Sequence, residues 1–84
     1  MKKITIYSGD PCPFCAAAKA LLKTKNVEIE EFDIWKDPTK AKEMLQRTNG
    51  ARTIPQIFVG DHHVGGNDQL QEANRSGELD KLLA

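Results

Sequence analysis

Residues 3–22 read KITIYSGDPCPFCAAAKALL, and the order of patterns within them decides the fold. Residues 3–7 are rich in β-branched side chains and read as a short strand. Residues 8–11 read as a loop. From Pro13 the apolar period changes: Phe14, Ala17, Ala18, Leu21 and Leu22 recur at the spacing of one helix face. Asn26 suits a left-handed stop for that helix. Residues 27–34 then read as a second strand. Its alternation slips, with Val27 and Ile29 in one phase and Phe32 and Ile34 in the other, which implies a bulge or a strand end. A strand–helix–strand unit implies a parallel pair with a right-handed crossover, so the chain belongs to the α/β class.

Further out, Asp37-Pro38 starts a second helix, with a capping side chain followed by proline at the first helical position. Ala41, Met44 and Leu45 mark its buried face, and Asn49-Gly50 stops it. Ile57-Phe58-Val59 reads as a third strand after Thr53-Ile54-Pro55. Gly60-Asp61 turns it into a short fourth strand around His63 and Val64. Gly65-Gly66 breaks the chain again, and Asn67 or Asp68 can cap a helix carrying Leu70 and Ala73. Ser76-Gly77 ends that helix, and Leu79, Leu82 and Leu83 predict a final turn or two. The predicted order is β-α-β-α-β-β-α, with the later tight turn implying an antiparallel pair. Trp35 and Tyr7 read as packing residues, and His62-His63 as a solvated turn.

The chain of 84 residues forms one domain, residues 1–84. Hydrophobic content of 39% and charged content of 29% are those of an ordinary folded protein. Twelve basic and twelve acidic side chains cancel, which argues against nucleic acid as the main partner. No apolar run reaches the length of a membrane-spanning helix. Met1-Lys2-Lys3-Ile4 is not followed by the long apolar stretch of a secretory signal. Two cysteines close together do not make the dispersed disulfide framework of a small secreted domain. A reducing compartment, and so a cytoplasmic location, is expected.

Those two cysteines carry the chemistry. Pro13 at the first helical position places Cys12 at the N-cap. Its sulfur then faces the unpaired first-turn amides and the positive end of the helix dipole. Both favour thiolate, and such settings lower a cysteine pKa by one to several units from about 8.5. Cys15 lies three residues on along the same face, where Cβ atoms are roughly 5–6 Å apart, close to disulfide reach. Cys12 is therefore the attacking sulfur and the deeper Cys15 the resolving one. The competing reading is half a zinc site. Zinc normally takes four ligands, and adjacent His62 and His63 point to opposite faces of a strand. Redox chemistry is favoured, and no metal site is expected.

Two further motifs are weak alone. Proline before a strand can be simple punctuation. A cis Ile54–Pro55 bond would instead turn the Ile54 N–H and C=O outward, free to pair with an extended peptide. Gly65-Gly66-Asn67-Asp68 can be a capped turn. Alternatively, its glycines admit a ligand close to the backbone, its free N–H groups suit a carboxylate, and Asp68 suits an adjacent ammonium.

Taken in order, Tyr7, Cys12-Pro13-Phe14-Cys15, Arg52-Thr53-Ile54-Pro55-Gln56-Ile57-Phe58 and Gly65-Gly66-Asn67-Asp68 closely resemble the dithiol glutaredoxins, particularly the short bacterial glutaredoxin 3 type. The match runs nearly end to end. The resemblance implies the thioredoxin fold, a four-stranded mixed β-sheet flanked by α-helices, with Pro55 cis. It implies glutathione as reducing co-substrate, with no permanently bound cofactor. Cys12 would form the mixed disulfide with glutathione, and the Ile54 backbone would pair with its cysteinyl part. Phe14 would wall the groove, and Thr53 and Pro55 would shape it. Gly66, Asn67 and Asp68 would hold the γ-glutamyl end, and Arg47 would lie near the glycyl carboxylate. Gly9 stands where the family usually has lysine, removing a positive charge near Cys12. Phe14 replaces the commoner tyrosine, Pro11 is unusual, and Asn67 replaces cysteine or serine.

The implied activity is reduction of protein–glutathione mixed disulfides and small disulfides, with ribonucleotide reductase as a possible acceptor of electrons. Partners are glutathione and disulfide-bearing proteins, with the chain itself a monomer. One rival is a glutathione-ligated iron–sulfur cluster carrier, against which Pro13 speaks. The other is a thioredoxin-like reductase, against which the lack of tryptophan before Cys12 and the Gly65–Asp68 motif speak.

Overall fold

Alternating strand and helix signals demand a sheet with helices packed on it, and the computed structural model, which describes residues 2–84, has that architecture. In chain order the elements are β1 (Ile4–Ser8), α1 (Pro13–Lys23), β2 (Ile29–Asp33), α2 (Pro38–Arg47), β3 (Gln56–Val59), β4 (His62–Gly65), α3 (Asn67–Ser76) and α4 (Glu78–Leu83). The four strands form one mixed sheet in the order β2-β1-β3-β4. β1 pairs parallel with β2 and antiparallel with β3, and β3 pairs antiparallel with β4.

Side chains of a strand alternate between faces, so the two central strands supply two cores. On one face Ile4, Ile6, Ile57 and Val59 pack with Ala18 and Leu22 of α1, Leu70 of α3, and Leu79 and Leu83 of α4. On the other, Tyr7 and Phe58 pack with Met44 of α2. All five residues of β1 are buried because helices cover both faces.

The slipped alternation of the second strand has a different cause from a bulge. Its register with β1 runs unbroken from Ile4↔Ile29 to Ser8↔Asp33. Val27 and Ile29 join the α1 face, whereas Phe32 and Ile34 join the α2 face. This edge strand supplies one core at its start and the other at its end. The register irregularity lies instead between Ile57 and Phe58, opposite β4.

Helix ends follow local chemistry. The Asp37 carboxylate accepts from the Thr39 and Lys40 amides at 3.0 and 3.4 Å, with Pro38 behind it. Asn49 and Gly50 leave α2 at φ of 58° and 102°, and Gly77 separates α3 from α4 at φ 85°. Asn26 does take the left-handed conformation at φ 56°, but α1 itself ends at Lys23 and a turn intervenes. No helix among the described residues is long and apolar enough to cross a membrane.

Two side chains read as bland are not so. Trp35 is no core residue: it is 57% exposed and lies against Gly9. His63 is exposed but belongs to β4, not to a turn: its ring stacks on Phe58 with centroids 4.7 Å apart, and it is hydrogen-bonded to Gln56. Tyr7 is packed as anticipated, with its buried ring edge-on to Phe58. Its hydroxyl donates to Glu43 and accepts from Arg47 Nη1 at 3.0 Å. Burial first, and then the bond to Glu43, pushes the phenol pKa up, so the hydroxyl stays a donor.

Tyr7→Phe should destabilise the fold by about 1 kcal/mol, the usual net worth of such a hydrogen bond when the partners left behind can hydrate. Urea unfolding with an unchanged slope checks this, and wild-type stability in the variant would refute it.

Candidate active site

Four residues separate the end of β1 from the start of α1. They carry the chain from the central strand to the helix on its face, and Cys12 is the last of them. Cys12 has extended backbone, φ −153° and ψ 101°, and caps α1 with Pro13 directly behind it. Its sulfur accepts the Cys15 backbone N–H at 3.2 Å, as the N-cap placement requires. The Cys12 and Cys15 sulfurs are joined in a disulfide, with their Cα atoms 5.2 Å apart. The two are unequal in access. Cys12 is half-buried, while Cys15 retains 1% of its exposure. No cluster of three or more histidine, cysteine or acidic side chains suited to a metal ion forms among the described residues.

Beside the disulfide lies a groove of about 190 Å³ lined by Phe14, Thr53, Ile54, Pro55, Gly66, Asn67, Asp68 and Gln69. Three distant segments build it. Phe14, 63% exposed, stands on the first turn of α1. The Ile54–Pro55 bond is cis, and Pro55 is buried against the start of β3. Neither N–H nor C=O of Ile54 has a hydrogen-bond partner among the described residues. The third wall is the start of α3.

There the cap differs from the sequence reading. Neither Asn67 nor Asp68 caps α3; Gly66 occupies the N-cap position, and the Gln69 side chain turns back to accept the Gly66 N–H at 2.9 Å. That leaves the Asp68 carboxylate exposed at the groove with no hydrogen-bond partner among the described residues. Gly65 sits at φ 119°, where a Cβ would also crowd Gln69 at 3.1 Å. The positive φ is what calls for glycine there. Gln69 was missed by sequence reasoning, although a glutamine three residues after a cap position is a known signature of helix starts.

Of the predicted binding residues, Arg47 is the exception. Its guanidinium stacks 3.9 Å from the Phe58 ring centroid, donates to Tyr7 and approaches the Gly60 carbonyl at 3.4 Å. Gly60 follows β3, at the end away from Pro55, so Arg47 does not line the groove. A cation stacked on a buried aromatic face gains attraction that open solvent does not offer.

The space beside Gly9 is filled by Trp35. A Cβ on Gly9 would lie 2.6 Å from the Trp35 indole. Trp35 is held there by a turn in which the Asp33 carboxylate accepts the Trp35 and Lys36 amides at 2.9 and 3.2 Å. Pro11 follows a second cis bond, from Asp10. At the end of β1, Ser8 donates to Glu31, which also accepts from Lys19 of α1. Those two bonds, Ser8 first, hold the Glu31 pKa below the ordinary carboxylate value.

Comparison with known proteins agrees with this geometry. The glutaredoxin family model matches residues 4–64. Glutaredoxin 3 of Escherichia coli is 42% identical over 83 residues, covering 99% of either chain. The solution structure of a glutaredoxin from Brucella melitensis superposes with a TM-score of 0.82 at 44% identity, over 99% of this chain and 89% of that one. A crystal structure of a buckwheat glutaredoxin–glutathione complex superposes with a TM-score of 0.84 at 26% identity, over 95% of this chain and 74% of that one. With a thioredoxin fold, a disulfide at the head of α1 and relatives along its whole length, the chain belongs to the glutaredoxin family of thiol–disulfide oxidoreductases.

Proposed function

We propose that the protein reduces protein–glutathione mixed disulfides and small disulfides at the expense of glutathione. One observation carries this reading: the more accessible cysteine caps α1 beside a groove with an unpaired backbone edge on one side and a helix start with a free carboxylate on the other. Glutathione has a matching shape. Its cysteinyl part is a short extended peptide, which can pair with the Ile54 N–H and C=O. Its γ-glutamyl end bears a carboxylate and an ammonium side by side. The amides of Asn67, Asp68 and Gln69 suit the first, and the Asp68 carboxylate suits the second. Phe14, Thr53, Pro55 and Gly66 shape the walls.

The chemistry balances as thiol–disulfide exchange. The Cys12 thiolate attacks the glutathione sulfur of a protein–glutathione disulfide. A Cys12–glutathione disulfide forms and the protein thiolate leaves, taking a proton from water. A second glutathione thiolate then attacks the glutathione sulfur, releasing glutathione disulfide and restoring the Cys12 thiolate. For a protein disulfide, Cys15 supplies the second sulfur: it attacks Cys12, expels the reduced product and leaves the Cys12–Cys15 disulfide present here. Two glutathiones reduce that bond in turn. First-turn amides stabilise Cys12 both as attacking and as leaving thiolate. The exchange suits a reducing compartment, where glutathione is the abundant thiol.

Three outcomes test the reading in a coupled assay with a glutathionylated peptide, glutathione and glutathione reductase. Cys12→Ser should fall to the uncatalysed rate, while Cys15→Ser should keep at least about half the activity; the reverse pattern would reject the assignment of roles. Asp68→Ala should raise KM roughly five- to tenfold, corresponding to about 1.0–1.4 kcal/mol, and an unchanged KM would remove Asp68 from the site. Gly9→Lys and Gly9→Ala should both displace the indole of Trp35, the single tryptophan, and red-shift its emission. Only Gly9→Lys should also lower the Cys12 pKa, read from the pH profile of alkylation by iodoacetamide; equal profiles in the two variants would refute the charge argument.

A further inference from the structure

The groove's unpaired edge is braced by two side chains, Gln56 and His63, that do not themselves line it. Gln56, the first residue of β3, is 5% exposed. Its NH2 group donates to the Thr53 carbonyl at 2.9 Å and to the Thr53 hydroxyl at 3.2 Å. Its Oε1 lies 2.7 Å from His63 Nε2 on β4. With both amide protons directed to Thr53, Oε1 can only accept, so Nε2 of His63 carries the proton and donates. The His63 ring is held flat on Phe58, whose ring is also stacked by Arg47. Burial, then the charges of His62 and Arg47, push the His63 pKa down, which favours the neutral ring.

The geometric consequence lies in the Thr53–Ile54 peptide. That bond is trans, since the cis bonds are those before Pro11 and Pro55. A trans peptide is planar, with C=O and N–H pointing opposite ways. Holding the Thr53 carbonyl on the Gln56 amide therefore aims the Ile54 N–H in the opposite direction, and that N–H has no partner within the protein. We propose that His63, acting through Gln56, is a positioning residue that sets the direction of the Ile54 amide in the glutathione groove. Gln56 alone could rotate about its terminal torsion, which is soft. The Thr53 carbonyl, which can only accept, selects the sense of the amide, and the His63 Nε2–H donated to Oε1 holds the amide from its other side against swinging away. This rests on the glutathione reading above.

His63→Phe keeps the ring on Phe58 and removes the donor, while His63→Gln keeps a donor at similar reach. His63→Phe should raise KM for the glutathionylated peptide about three- to tenfold with kcat unchanged. His63→Gln should return KM to within about twofold of the parent. The rate of Cys12 alkylation by iodoacetamide should be the same in all three, because the effect does not pass through the sulfur. An unchanged KM in a folded His63→Phe protein overturns the proposal. So does a fall in kcat at constant KM, a changed alkylation rate, or failure of His63→Gln to rescue. Should His63→Phe not fold, His63→Asn, too short to reach Gln56, is judged by the same criteria. Parent protein that does not turn over the glutathionylated peptide at all would reject the glutathione reading itself, a result distinct from an active parent whose KM the variants leave unmoved.

Discussion

The capping of α1 by a sulfur is the constraint around which the molecule is arranged. The first turn of any helix has amides without internal partners, and here the Cys12 sulfur accepts one of them. That single contact requires Pro13 behind it, a strand that delivers the chain to this spot, and a buried wall beneath. β1 provides the delivery: it is central, buried on both faces, and parallel to β2. A strand so placed cannot slide without exposing two cores at once, so the loop it launches starts from a rigid base. Burial of Cys15 in the same turn leaves Cys12 as the sulfur that solvent meets first.

The second half of the chain adds recognition to this reactive end. β3 runs antiparallel to β1, so its beginning lies beside the end of β1. That brings Ile54 and Pro55 to the groove they share with Phe14 of the Cys12–Cys15 turn, although some forty residues of sequence intervene. β4 then returns and releases α3 at the same edge, so that Gly66, Asn67 and Asp68 face Ile54 and Pro55 across the groove. Gln69 takes over the cap of α3, which frees the Asp68 carboxylate for another partner. Two features give this site its own character. An indole rests against Gly9, and a β4 histidine is tied through Gln56 to the groove wall.

Much of this was legible in local patterns. Period changes near Pro13, the Asp37-Pro38 cap and the Asn49-Gly50 stop each rest on the chemistry of a few neighbouring residues, and each element stands where that chemistry puts it. The strand signal of the second segment was legible, but not its division between two cores. That division depends on which helix covers each end of an edge strand. Arg47 shows the same limit at the site. Its type and place suit an anion, yet it stacks on Phe58 and bonds Tyr7, because the end of α2 lies over that part of the sheet.

What the sequence alone determined is the set of interactions between neighbours: the N-cap sulfur, the i to i+3 cysteine pair, the turns, and the alternation that builds a mixed sheet. Only the tertiary structure decided which distant groups meet. Trp35 lies on Gly9, His63 braces Thr53 through Gln56, and Arg47 turns away from the groove. Capping and periodicity act over one turn of helix or two residues of strand, so they are written in adjacent letters. A contact between side chains far apart in sequence depends on strand register and helix placement together, and no short stretch of the chain carries that information.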